Sequence, residues 1–184
     1  MKIIDTSING LKIMEPNIFR DSRGMFIKTF TDSFFQENGL VIDIKETYYS
    51  ISHQDVIRGM HFQIPPYDHI KLIYVPYGSI LDVVLDIRKN SPTYGHYFST
   101  ELSSINGKIL IVPQGLAHGF KSLEDSTNVV YMQTTGYSQE HDCGIKYNSF
   151  NFDWKCAEPK MSERDNSFVA FSEFETPFIY GQNV

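Results

Sequence analysis

Short apolar runs, most of them alternating with polar residues, follow one another along the chain and are broken at close intervals by Gly, Pro, Asn and Asp. That period of two, with turn signals such as "DSRG", "KNSPTYG" and "SSING" between the runs, predicts an all-β domain. The expected strands are "LKIMEPNIF", "GMFIKTF", "IKETYYSIS", "VIRGMHFQ", "HIKLIYVPYG", "SILDVVLDIR", "GHYFSTELS", "KILIVPQG", "AHGFKSLE" and "NVVYMQTTG". Helical spacing is scarce. "TDSFFQENGL" reads as one short helix, capped by Thr31 or Asp32 and stopped by Gly39, and a second short helix is expected near "SERDNSFVAF" in the more polar stretch after Trp154. There is no internal repeat and no low-complexity segment. Many short strands imply a sandwich or barrel.

One strand bears on the interior. In "SILDVVLDIR" one face carries Leu81, Val83, Leu85 and Ile87, the other Ile80, Asp82, Val84 and Asp86. The second face meets either solvent or a polar cavity. Other strands carry single reactive groups among apolar neighbours: Lys71 in "IKLIYV", His118 in "AHGF", and Tyr131 with Val129 and Gln133 in "NVVYMQTT". In a barrel such groups converge.

Composition narrows the partners. A chain of 184 residues fits a single domain over 1–184, large enough to bury roughly 70% of its unfolded surface. A formal charge of -6 argues against nucleic acid or an anionic membrane as the main partner, while leaving room for a local basic pocket that takes an anionic ligand. Two cysteines, Cys143 and Cys156, are too few for a secreted disulfide scaffold, and "MKIIDTSINGLKIME" lacks the apolar core of a signal peptide. No run approaches the apolar length of a membrane span. A cytoplasmic location is expected.

"RGMHFQ" then poses the chemical question, because it sets Arg58 and His61 inside a run that otherwise reads as a buried strand. A core histidine satisfied by hydrogen bonds is one answer. Metal ligation is another, with His61, His118 and a recruited His69, yet Phe62 follows the first histidine and the cations Arg58 and Lys71 oppose a bound dication. Proton transfer fits the set better. Taking a proton from carbon beside a ketone needs a base, a cation or donor for the enolate oxygen, and an acid to reprotonate; histidine, lysine and tyrosine supply these. With acid and base on opposite faces of the substrate, the carbon inverts.

Six blocks carry a family resemblance: "FRDSRG" at 19–24, "VIRGMHFQ" at 56–63, "KLIYVPYGSILDVVLDIRKNSPTYG" at 71–95, "VPQGLAHGF" at 112–120, "VVYMQTTGYSQEHDCGIKYNSFNFDW" at 129–154 and "SERD" at 162–165. In this order they resemble the dTDP-4-dehydrorhamnose 3,5-epimerase family. The resemblance implies a cupin-like jelly-roll homodimer with N-terminal strands exchanged, acting on a nucleotide-linked 4-keto-6-deoxy sugar for surface polysaccharide, with no metal and no redox cofactor. It implies that His61 is the base, Asp165 the carboxylate that holds its tautomer, Tyr131 the proton donor, Tyr137 a second active-site tyrosine and Lys71 the lysine near the ketone. Arg23, Arg58, His118, Asp142 and Arg164 fall where that family contacts the rest of the substrate, and Phe19, Gln63 and Asp82 lie in the same blocks. Arginine suits a diphosphate through its planar fork. Arg23 also fits a surface turn, and Tyr137 a strand-end cap.

The chain departs from the family at Lys28, where a glutamate is usual, and at Glu46, Thr47 and Tyr48, where Gln-Asp-Asn is usual. These departures fall in the part of the family site that handles the nucleotide, so the implied expectation is enolising chemistry on a donor with another nucleotide or sugar, GDP- or CDP-linked hexose or heptose included. A cupin-type 3,4-ketoisomerase is the near alternative. A metal-dependent cupin enzyme and a non-catalytic sugar-nucleotide binder are more distant.

Overall fold

A computed structural model describes residues 1–182; the last two residues of the domain expected over 1–184 lie outside it. In chain order the elements begin with Lys2–Asp5 (β1), Lys12–Glu15 (β2), Ile18–Asp21 (β3), Gly24–Ile27 (β4), Asp32–Glu37 (α1), Glu46–Ser52 (β5) and Ile57–Gln63 (β6). They continue with Lys71–Tyr77 (β7), Ser79–Asp86 (β8), Tyr97–Ser103 (β9), Ile109–Val112 (β10), Leu116–Ser122 (β11), Thr127–Gln133 (β12), Asp142–Gly144 (β13) and Glu163–Asn166 (α2).

Two antiparallel sheets form the body, one ordered β1-β2-β10-β7-β12-β5 and the other β13-β6-β11-β8-β9, while among the described residues β3 and β4 pair only with each other. This is a cupin-like jelly roll. The apolar face of each strand explains the layering. Ile13, Ile73, Val75 and Val129 of the first sheet meet Ile80, Val84, Leu116 and Phe120 of the second in the core between them. The opposite face of β8, with Val83, Leu85 and Ile87, packs under Phe150, Trp154 and Phe178 of the C-terminal segment. On the far side of the first sheet Leu72, Ile109 and Ile111 are covered by Phe35 of α1 and by Ile42. Burying a side chain of this size stabilises by about 1.5–3 kcal/mol, so the covering segments are part of the fold rather than decoration.

The expected strands recur with three changes. "LKIMEPNIF" divides at Pro16, which has no N–H to give to a ladder, into β2 and the start of the β3–β4 hairpin. β1 and β13, of four and three residues, are too short to show a period in the sequence. The face of β8 that bears carboxylates turns inward, with Asp82 1% and Asp86 0% exposed. Asp86 does structural work: it takes bonds from Arg88 Nη2, Ser91 Oγ and Thr93 Oγ1 and so fixes the "NSPTYG" turn. No helix among the described residues is long and apolar enough to cross a membrane.

Candidate active site

Between the sheets lies a cavity of about 430 Å³. The five-stranded sheet contributes Arg58 and His61 from β6 and His118 from β11; the other sheet contributes Glu46 and Tyr48 from β5, Lys71 from β7 and Tyr131 from β12. His61 and His118 are direct neighbours across the β6–β11 ladder. The glycine of "RGMHFQ" allows this approach: a Cβ on Gly59 would come within 2.5 Å of the Gly119 Cα, and the ladder shifts register there between His118 and Phe120.

Each imidazole has a carboxylate behind it. His61 Nε2 lies 2.9 Å from Asp165 Oδ1, while Asp165 Oδ2 accepts from the Gly59 amide at 3.0 Å. Asp165 is itself placed by α2, whose N-cap Ser162 accepts the Asp165 amide at 3.0 Å. Burial pushes the Asp165 carboxyl up, but the bonds from His61, Gly59 and Ser162 outweigh it and hold the group ionised below its ordinary range. An ionised Asp165 accepts the Nε2 proton, which leaves Nδ1 of His61 as the free lone pair. Burial lowers the His61 pKa, with Asp165 opposing, so the ring is neutral near pH 7. His118 Nε2 meets Asp82 Oδ2 at 2.7 Å in the second pair.

Lys71 is 8% exposed, and burial pushes its ammonium down to about 8 in spite of Asp142 and Asp82. Tyr131 stacks on Tyr48 with ring centroids 4.8 Å apart. Burial and then Tyr48 drive the Tyr131 phenol above its ordinary range, and burial with Glu46 and Asp142 takes Tyr48 to about 12. Both stay protonated at neutral pH. At the rim Arg164 Nη2 donates to Asp142 Oδ2 at 2.6 Å and lies over the Phe168 ring, and Arg58 Nε donates to Ser52 Oγ at 3.0 Å. Guanidinium N–H groups on the cavity side offer an anion site.

A base whose tautomer is fixed, a buried ammonium and a protonated phenol can enolise a ketone and return the proton. The profile of dTDP-4-dehydrorhamnose 3,5-epimerases matches residues 5–173. The chain belongs to this family. A dTDP-4-dehydrorhamnose 3,5-epimerase of Methanothermobacter thermautotrophicus is 41% identical over 177 residues, covering 94% of this chain and 95% of that one. The crystal structure of the Bacillus anthracis epimerase, with TDP and pyrophosphate bound, superposes with a TM-score of 0.89 at 35% identity, covering 92% of this chain and 98% of the other. That of the Legionella pneumophila epimerase in complex with dTDP-4-keto-L-rhamnose gives 0.90 at 32%, covering 95% and 94%. The protein is an isomerase of this family, and the match favours epimerisation over the ketoisomerase alternative.

Within the epimerase, the cavity brings together eleven of the residues expected from sequence: Glu46, Tyr48, Arg58, His61, Gln63, Lys71, His118, Tyr131, Tyr137, Asp142 and Arg164. Asp165 and Asp82 stand behind their histidines. Phe19, Arg23 and Lys28 are not brought to it; they belong to the exposed β3–β4 hairpin and the residue after it, where Arg23 pairs with Asp21 at 2.6 Å. Glu46 and Tyr48, grouped with Lys28 in the sequence reading, instead line the wall beside Gln133 and Tyr131; Gln133 Nε2 donates to Glu46 Oε2 at 2.8 Å. Ser50 and Gln133 also line the cavity and were not among the expected site residues, and His69, weighed only as a metal ligand, lines it too. Ser50 and Gln133 lie two residues from Tyr48 and Tyr131 on their strands, so the period of two was their signal.

Proposed function

We propose that this enzyme inverts the carbons flanking the ketone of a dTDP-linked 4-keto-6-deoxy sugar. The observation that carries the reading is that His61 and Tyr131 project from facing sheets into one cavity, so a ring held between them has the base on one face and the acid on the other. Nδ1 of His61 takes the proton from C3; the C–H electron pair moves into the C3–C4 bond and the carbonyl pair onto oxygen, where the Lys71 ammonium stabilises the enolate. Collapse of the enolate takes a proton from the Tyr131 phenol on the opposite face of C3. The tyrosinate and the imidazolium reset by exchange with solvent, and the same sequence at C5 inverts the second centre. Arg58 and Arg164 hold the diphosphate. A buried, high-pKa phenol suits the acid role, because it gives its proton only to a strong base such as the enolate carbon.

Proton NMR in deuterated water tests this with 4-keto-6-deoxy sugars linked in turn to dTDP, GDP and CDP. Deuterium should enter C3 and C5 of the dTDP sugar, and His61→Ala should abolish it. Faster exchange with GDP or CDP would overturn the nucleotide assignment, and silence with all three would overturn the chemistry. A second reading, a donor with an altered sugar, is favoured by Glu46 and Tyr48 standing on the wall against Gln133 and Tyr131. A 4-keto heptose donor outpacing the hexose in the same experiment would establish it.

We also propose a homodimer built on the β3–β4 hairpin. Phe19 and Phe26, each 60% exposed, give it an apolar face with no partner strand among the described residues. A second copy seated there would cover that face and bring Phe19, Arg23 and Lys28 to a cavity that they do not reach within one chain. Sedimentation of the pure enzyme at the dimer mass, lost in a Phe19→Ser, Phe26→Ser variant, is the expected result. The cytoplasm, where Cys143 and Cys156 would remain free thiols, is the compartment we infer.

A further inference from the structure

Gln63 closes β6 with its side chain buried, 5% exposed, and its amide bonds almost wholly to backbone. Oε1 accepts from the Ser138 amide at 2.7 Å. Nε2 donates to the carbonyls of Tyr67 at 2.8 Å and Gly136 at 3.2 Å. Gly136 and Ser138 are the two residues on either side of Tyr137, and Tyr137 lines the cavity although it is 60% exposed. One buried amide therefore grips the backbone on both sides of a side chain that has no anchor of its own among the described residues. The amide cannot turn over, since its NH₂ would then face the Ser138 N–H. The same carbonyl of Tyr67 also accepts from Thr135 Oγ1 at 2.9 Å, and the Tyr67 ring lies 4.6 Å from that of His141. The loops 64–70 and 134–141 are thus fastened to each other, with Gln63 at the fastening.

We propose that Gln63 is a positioning residue for Tyr137, fixing the loop that closes the cavity mouth instead of contacting substrate. This rests on the reading of the cavity as the catalytic site. A loop held at two points flanking one residue loses little freedom when substrate arrives, and a displacement of about 1 Å at a reacting centre costs on the order of 100-fold in rate. Tyr137 needs that restraint because it is exposed.

Three variants test it: Gln63→Leu, which removes every polar contact, Gln63→Glu, which keeps the acceptor for Ser138 but turns oxygen toward two carbonyls, and Tyr137→Ala. Hydrogen exchange of the free enzyme reads the restraint without reference to activity. In Gln63→Leu the segment 134–141 should exchange at least about tenfold faster while β6 and β12 stay protected; unchanged exchange there overturns the fastening. Turnover reads the consequence. Gln63→Leu should lose about 10- to 100-fold in kcat/KM, Tyr137→Ala a comparable amount, and the double variant little more than either. Losses that multiply would overturn the link between the two residues. Full activity of Tyr137→Ala beside faster loop exchange in Gln63→Leu would leave the fastening standing and sink the role of Tyr137. Should Gln63→Leu fail to fold, Gln63→Glu carries the same comparison. Its carboxyl would also face His69, whose Nδ1 lies 3.3 Å from Gln63 Nε2, so Gln63→Glu is read by exchange: protection of 134–141 equal to wild type overturns the fastening.

Discussion

Two imidazole–carboxylate pairs stand side by side in this cavity and are built to different ends. His61 and Asp165 are separated by 104 residues of chain, and the His61 side chain keeps 28% of its surface open. His118 and Asp82 come from adjacent strands, β11 and β8, and their side chains are 4% and 1% exposed. The first pair has both carboxylate oxygens occupied by N–H donors, His61 Nε2 and the Gly59 amide. In the second, Asp82 Oδ1 is buried with no partner among the described residues. The open pair, with its carboxylate saturated, can hold one tautomer and present the other nitrogen to a substrate. The sealed pair ties β11 to β8 by a side-chain bond.

The same substitution made in both pairs should separate them. Asp165→Asn has no good orientation: whichever way the amide turns, its NH₂ meets either the Gly59 amide or the His61 Nε2 proton. To relieve the clash at His61 the ring must shift its proton to Nδ1, the atom that should be the base. A loss on the order of 10²- to 10³-fold in kcat/KM is expected, with about 1–3 kcal/mol of stability from the unsatisfied donor. Deuterium incorporation and denaturant melts check the two effects separately. A variant with near-normal exchange would remove the distinction between the pairs.

Much of this was legible in the sequence, for definite reasons. Alternation found most of the strands, and it placed Asp82 and Asp86 on one face, though not which of them stood by a histidine: Asp82 does, while Asp86 ties a turn. His61, Lys71 and Tyr131 came from the residue types that enolisation needs, within blocks resembling the family. What no local period encodes was less open. The pairing of Asp165 with His61 came from the resemblance alone, since the two meet only by a long-range contact through a four-residue helix. Phe150 and Phe178 join Trp154 over β8 from a segment with little regular structure, so no pattern announces those two phenylalanines as core. Gln63 reads as a substrate ligand because it closes the block that holds His61, yet its hydrogen bonds run mostly to backbone.

The pH profile sharpens the comparison next. Burial holds the His61 pKa below its ordinary 6.5, so the base stays neutral to lower pH than a free imidazole and the acid limb of kcat/KM should fall below 6.5. Burial pushes the Lys71 ammonium down to about 8, so in the proposed mechanism the enolate would lose its cation as pH rises past that value, and an alkaline limb should appear there. The profile is a bell, and Lys71→Met should lower its height and remove the alkaline limb. An alkaline limb surviving in that variant would assign it to another group.

The smallest effect is expected from Asp82→Asn. Here one orientation avoids a donor–donor clash: the carbonyl oxygen accepts from His118 Nε2, and the NH₂ takes the place of the buried oxygen that had no partner among the described residues, where its N–H groups go unpaired. The His118 tautomer is preserved, so kcat/KM should change by less than about tenfold below the alkaline limb, which moves to lower pH as Lys71 loses the support of the Asp82 charge. The cost is the exchange of a charge-assisted bond for a neutral one together with an unpaired buried NH₂, about 1–3 kcal/mol, measured as a lower denaturant midpoint with an unchanged slope. If Asp82→Asn instead matched Asp165→Asn in kcat/KM, His118 would need its carboxylate for chemistry, and the distinction drawn between the two pairs would fall.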